Sequence, residues 1–154
     1  MKYSARFGHL SEIPDYMIGE QIRQGFNIGT MGSSGQSRHN HLHIDVIEGF
    51  VYGIIRLSDI GDKKAYVPSE KQLNYFIDKD LFKIEPCVTT PYLDPDYKDF
   101  FGKDHPAIDV VPIDRHLTKL HFPIYWNRSK VGHVLAVGND PRGYGNYIII
   151  GYEE

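Results

Sequence analysis

The chain has 154 residues, enough for one domain with an ordinary core at 41% apolar content. Its 17 basic and 20 acidic residues give a net charge of −3 and are scattered rather than blocked, so charge does not favour nucleic acid. A single cysteine, Cys87, excludes an internal disulfide and a tetrahedral cysteine zinc site, and no stretch approaches the length of a membrane span.

Aromatic residues at 13% and 15 glycines, with short alternating runs broken by Gly, Pro, Asn and Asp, give an all-β cadence. In chain order, strands are predicted at Tyr3–His9, Gln21–Ile28, His41–Val46 and Phe50–Ile55. Turns separate them at Ile18–Glu20, Gly32–Gly35, Glu48–Gly49 and Gly61–Asp62. Ser69 caps one short helix reaching Leu81, whose apolar positions Leu73, Phe76, Ile77 and Leu81 fall three or four apart and cover one side of a sheet. From Cys87 to Lys103, prolines and acidic turns predict an irregular loop that walls a groove and leads into His105. Cys87 itself is expected to be buried or half-buried. Further strands follow at Ala107–Pro112, His121–Tyr125, Gly132–Val137 and Asn146–Gly151, with a turn at Gly138–Gly143.

The chemistry-bearing residues fall in two places. His41 and His43 lie two apart in a predicted strand, so both project to one face about 7 Å apart, which suits one ligand and one neighbouring base. His105 and Asp109, four positions apart, add an imidazole and a carboxylate. With one histidine of the first pair they make an N, N, O set with a fourth position open, the pattern of a catalytic zinc. His39, His116, His121 and His133 read as ordinary surface or core residues. Gly29, Gly32 and Gly35 shape the approach to His41-Leu42-His43 rather than cradle a phosphate.

Four segments together resemble the lysostaphin/LytM-type zinc endopeptidases. They are His105-Pro106-Ala107-Ile108-Asp109; Val134–Gly138 with Gly143-Tyr144-Gly145-Asn146 and the apolar run after it; Phe7-Gly8-His9-Leu10; and Gly29 onward, closing in His41-Leu42-His43. In the family the His-x-x-x-Asp segment comes first and His-Leu-His last. Joining Glu154 to Met1 restores that order, so the resemblance implies a circular permutation that opened a β-hairpin at its turn. Residues 1–46 and 105–154 carry the match, and 47–104 read as a bridging insertion with the short helix, within one domain spanning 1–154. Ala107 departs from the pattern, standing where many members have glycine.

The resemblance implies a mainly β, antiparallel LytM-like fold and one Zn²⁺ held by His43, His105 and Asp109. It also implies assistance from His9 and His41 as proton carriers and oxyanion donors. A phenol from the preceding loop, Tyr97 or Tyr92, is a further candidate donor. The implied activity is hydrolysis of peptide bonds in bacterial peptidoglycan, with a catalytically silent wall-binding or virion module as the alternative. No nucleic acid or membrane partner is implied. Met1–His9 has no apolar signal core, so the expected setting is synthesis without a signal peptide. Action at the cell wall then follows release by lysis or carriage on a phage particle.

Overall fold

The computed structural model describes residues 1–53 and 67–154. The chain is mainly β. Its strands are β1 (Lys2–Leu10), β2 (Gln21–Ile22), β3 (Asn27–Thr30), β4 (Leu42–Glu48), β5 (Pro86–Thr90), β6 (Ile108–Pro112), β7 (Pro123–Tyr125), β8 (Gly132–Asp140) and β9 (Gly145–Glu153). Among the described residues, seven of these form an antiparallel sheet in the order β2-β8-β9-β1-β4-β6-β5, and β3 pairs with β7 beside it. Among the described residues the helical elements are α1 (Glu70–Asn74), α2 (Pro95–Phe101) and a 3₁₀ turn at Arg115–Lys119.

The central strand β1 is buried from Tyr3 to Leu10, so both its faces are covered. Side chains alternate along a strand, and here one face enters the main core while the other carries polar groups beside a second, smaller apolar cluster that includes Ile47, Leu135 and Ile149. Tyr3, Ala5 and Phe7 of β1, Leu42, Ile44 and Val46 of β4, and Ile148, Ile150 and Tyr152 of β9 all enter the main core. Phe76, just past α1, closes that core, edge-on to Phe7 at 5.9 Å between ring centroids and to Tyr152 at 5.8 Å. The alternate positions, Arg6, His43, Asp45 and Asp109, lie on the opposite face.

Register then sets which of these meet. Arg6 stands across from Asp45, Gly8 across from His43, and His43 across from Asp109. The chain ends also pair: the Met1 amino group donates to the Glu154 carbonyl at 2.7 Å, and Glu154 N–H returns a bond to Met1 O at 2.9 Å.

Several expectations are corrected. The helix capped by Ser69 stops at Asn74 rather than reaching Leu81, although Leu73, Phe76 and Leu81 all enter the main core and Ile77 packs against it. The Gln21–Ile28 strand is interrupted after Ile22 and resumes at Asn27, since Gly25 takes φ 91° in the turn between. The loop predicted from Cys87 to Lys103 holds two elements. Residues Pro86–Thr90 form edge strand β5 against β6, where a proline without an N–H and an exposed face are tolerated. Pro95–Phe101 form α2, capped by Asp94, begun by Pro95 and ended by Gly102 at φ 73°. Cys87 is exposed on that edge, not buried. Of the predicted Phe50–Ile55 strand, Phe50 to Gly53 are not in a strand, and the rest, with the Gly61–Asp62 turn, lies outside the described residues.

Candidate metal centre

On the polar face of the sheet, His43, His105 and Asp109 bring one ligand atom each to within 4.8 Å of one another. His43 is 5% and His105 3% exposed. His43 Nδ1 lies 3.3 Å and His105 Nε2 3.8 Å from Asp109 Oδ1, and His41 Nε2 approaches the same oxygen at 3.7 Å. That oxygen is buried and accepts no hydrogen bond. An unpaired buried carboxylate oxygen is costly, and this one has three imidazole nitrogens around it, of which those of His43 and His105 join it in a donor set that a divalent cation would satisfy. Two nitrogens and a carboxylate with room for a fourth ligand suit Zn²⁺.

His43 and Asp109 reach this position by strand register. His105 gets there differently. Its carbonyl accepts both Leu93 N–H at 3.0 Å and Ala107 N–H at 2.8 Å, folding the chain sharply just before β6. Its ring packs against Tyr97 of α2 with centroids 4.3 Å apart. The buried methyl of Ala107 is accommodated in this turn.

His9 arrives through a break in pattern. Strict alternation would send it into the core beside Phe7, but β1 shifts register between Phe7 and Leu10 and His9 adopts φ 60°. A bulge of this kind re-aims a side chain. Leu10 stays in the core while the His9 ring comes to 4.7 Å from His41 and 5.8 Å from His43. Its N–H is held by Tyr144 O at 2.6 Å. Both of these further imidazoles, His9 and His41, turn Nδ1 toward backbone. His9 Nδ1 donates to Ser34 O at 2.8 Å and His41 Nδ1 to His39 O at 2.9 Å, which leaves Nε2 bare in each.

The electrostatics differ from ring to ring. Burial, reinforced by His43 and His41, holds His9 down at about 4, and burial with His43 does the same for His105. Burial pushes His43 down too, but Asp109 and Asp45 outweigh it and hold the ring up at about 9. Asp109, despite burial, sits well below the usual carboxylate range because of the surrounding histidines. In the metal-free protein the charge of the cluster is therefore concentrated on His43 and its two carboxylates.

These groups line a cleft of about 530 Å³, roofed on one side by Tyr97, Phe100 and Phe101 of α2 and flanked by Arg38 and Arg142. Phe100 is 82% exposed. Of the two candidate phenols, Tyr97 reaches the cleft, whereas Tyr92 packs against the main core. All five histidine and aspartate positions expected from sequence converge here, while His39, His116, His121 and His133 are exposed elsewhere. Arg6 and Asp45 were not anticipated. The signal was present in Asp45, two residues beyond His43 and so on its face of the strand.

Comparison of the chain with protein-family models, with curated proteins and with solved structures finds no match.

Proposed function

We propose that this protein is a zinc-dependent endopeptidase of the lysostaphin/LytM type. On this reading it is a circularly permuted chain that hydrolyses peptide bonds in bacterial peptidoglycan and serves as a phage or phage-like lytic enzyme. The observation that carries the proposal is the meeting of His43, His105 and Asp109 around an unpaired carboxylate oxygen, with two further imidazoles in the same cleft. The paired chain ends support the permutation, because they form the last rung of one hairpin.

Zn²⁺ held by these three residues would supply Lewis acidity, polarising a scissile carbonyl and acidifying a water molecule. The protein's own groups account for the rest. His9 is neutral at pH 7 and offers a bare Nε2, so it can accept a proton from the attacking water. His41 offers a second bare Nε2 within the cleft and, once protonated, can stabilise negative charge on the carbonyl oxygen or protonate the departing amine. Burial raises the Tyr97 phenol above its ordinary value, so it remains a neutral hydroxyl donor. Residues Tyr97, Phe100 and Phe101 of α2 form one wall of the cleft.

The test is zinc content of the purified protein together with soluble-peptide release from purified peptidoglycan, with a chelator control and His43→Ala. One equivalent of zinc and chelator-sensitive release, both lost in His43→Ala, is the expected result, and product masses then name the bond. Bound zinc without release from several wall types would replace the enzyme reading with that of a silent wall-binding module, and absence of zinc would overturn the site.

A further inference from the structure

Behind the metal-facing side of His43 lies a group that neither the core nor the proton-transfer chemistry requires. Arg6 and Asp45 are fully buried cross-strand partners, and Tyr144 is 7% exposed. Arg6 Nε donates to Asp45 Oδ1 at 2.5 Å and a second guanidinium nitrogen donates to Tyr144 Oη at 2.9 Å. Tyr144 Oη in turn donates to Asp45 Oδ2, closing a ring of charge-assisted hydrogen bonds. The same Asp45 Oδ2 accepts His43 Nε2 at 2.9 Å.

A buried ion pair of this type is poor evidence of stabilisation, since desolvation offsets its attraction and well-packed apolar residues often serve as well. What the ring does fix is an atom. Arg6 and Tyr144 hold the Asp45 carboxylate at one position and angle, and that carboxylate binds the proton of His43 Nε2. The remaining nitrogen, Nδ1, is then the one that gives up its proton when a cation binds, and it is the atom that faces Asp109. Gly8 makes room for this: a Cβ there would lie 3.1 Å from Tyr144 Cδ2, so the absence of a side chain lets the phenol ring settle edge-on to His43, with centroids 4.8 Å apart.

We infer that Arg6, Asp45 and Tyr144 are positioning residues for the metal centre, fixing the tautomer and ring angle of His43 so that Nδ1 is presented to the cation. Asp45 acts directly on the imidazole, and Arg6 and Tyr144 act through Asp45. A ligating histidine whose other nitrogen is held by a carboxylate is a more basic and better oriented donor. Tyr144 also links the two halves of the site, because its carbonyl holds His9 N–H while its hydroxyl holds Asp45. This inference rests on His43 being a metal ligand.

The experiment is zinc titration against a competing chromogenic chelator for the full chain, Asp45→Asn, and the paired Arg6→Met/Asp45→Leu variant. Each protein is first checked for a cooperative melt without metal. Zinc affinity should fall about 10- to 100-fold in both variants, while the paired variant keeps its melting temperature. In the zinc-loaded wild type, proton NMR should show an exchange-protected Nε2–H of His43 that is missing in the paired variant. A folded paired variant that binds zinc as the wild type does would reduce the ring to a core ion pair and overturn the inference. Should the paired variant not fold, unchanged zinc affinity and an unchanged Nε2–H signal in Asp45→Asn would overturn it equally. A wild type that binds no zinc removes the metal centre and the positioning role together, whereas zinc-binding variants remove the positioning role alone.

Discussion

His9 Nδ1 donates to the carbonyl oxygen of Ser34, 2.8 Å away and 25 residues further along the chain. The bond decides the tautomer of His9, because a carbonyl can only accept. It also ties a strained residue, at φ 60°, to the glycine-rich segment that leads into His41-Leu42-His43. The loop and the bulge thus orient one another.

Removing that imidazole separates chemistry from assembly. His9 touches His41 and His43 but is not one of the three residues, His43, His105 and Asp109, whose ligand atoms lie within 4.8 Å of one another. The His9→Ala variant should therefore retain one equivalent of zinc and lose hydrolysis by roughly 10²- to 10⁴-fold, the usual contribution of a positioned acid or base. Zinc content and peptide release measured on one preparation check this. Undiminished release would take His9 out of the mechanism.

Gly35 makes a second prediction. It has φ 73°, and a Cβ there would stand 2.2 Å from Gly145 N and 2.5 Å from Gly143 O, both backbone atoms that cannot swing aside. The Ser34 hydroxyl is anchored between Leu10 O and Asn146 N–H at the same contact. Gly35→Ala should destabilise the fold by more than about 1 kcal/mol, from the left-handed conformation and the clash together. It should also push Ser34 off His9. Chemical denaturation gives the first effect, and a fall in peptide release larger than in zinc content gives the second.

How far the sequence alone carries is clearest from these residues. His43 and Asp109 were legible because strand alternation places them and register opposes them. His105 was legible from its spacing to Asp109, although the turn that brings it in, made by Leu93 N–H and Ala107 N–H, was not. His9 could be placed only through the family resemblance, since period-two reasoning sends it to the wrong face and the bulge is a tertiary effect. The Arg6–Asp45 pair was hidden for a similar reason. Its members are 39 residues apart, and an isolated arginine in an apolar strand gives no sign of its partner. Strand β5 and helix α2 were missed when proline was read as a loop signal. Pro86 opens an edge strand and Pro95 sits at the first turn of a helix, the positions where proline is tolerated.

The chain ends allow a direct test of the hairpin reading. Met1 and Glu154 exchange two backbone hydrogen bonds, with Lys2 opposite Glu153. That geometry is the closing rung of a hairpin with a two-residue turn, for which Asn-Gly is the favoured sequence. A chain cyclised through Asn-Gly between Glu154 and Met1 should fold with the same zinc content and melt several degrees higher, because cyclisation removes conformational freedom from the unfolded state. A lower melting temperature would mean that the ends are held apart by strain.

Proton binding should give the metal-free protein a stability maximum near pH 6.5. His9 and His105 titrate near 4 when folded, against about 6.5 in the unfolded chain, so between these values the unfolded chain holds more protons and stability falls as pH falls. Asp109 and Asp45, depressed below the ordinary carboxylate value of 3.8, extend the loss at lower pH. His43 has the opposite sign. Held up at about 9, it keeps its proton in the folded state between 6.5 and 9, and that contribution is lost as pH rises through this window. Thermal melts in chelator from pH 4 to 9.5 should therefore decline on both sides. Zinc changes only one of them in kind: it needs Nδ1 of His43 bare, so binding at pH 7 releases a proton and its affinity rises with pH up to about 9. The alkaline decline should disappear in the zinc-loaded protein while the acid decline persists and steepens as protons compete for His105 and His43. A metal-free melting temperature that stays flat from pH 6.5 to 9 would show that Asp45 and Asp109 do not hold a charged His43 between them.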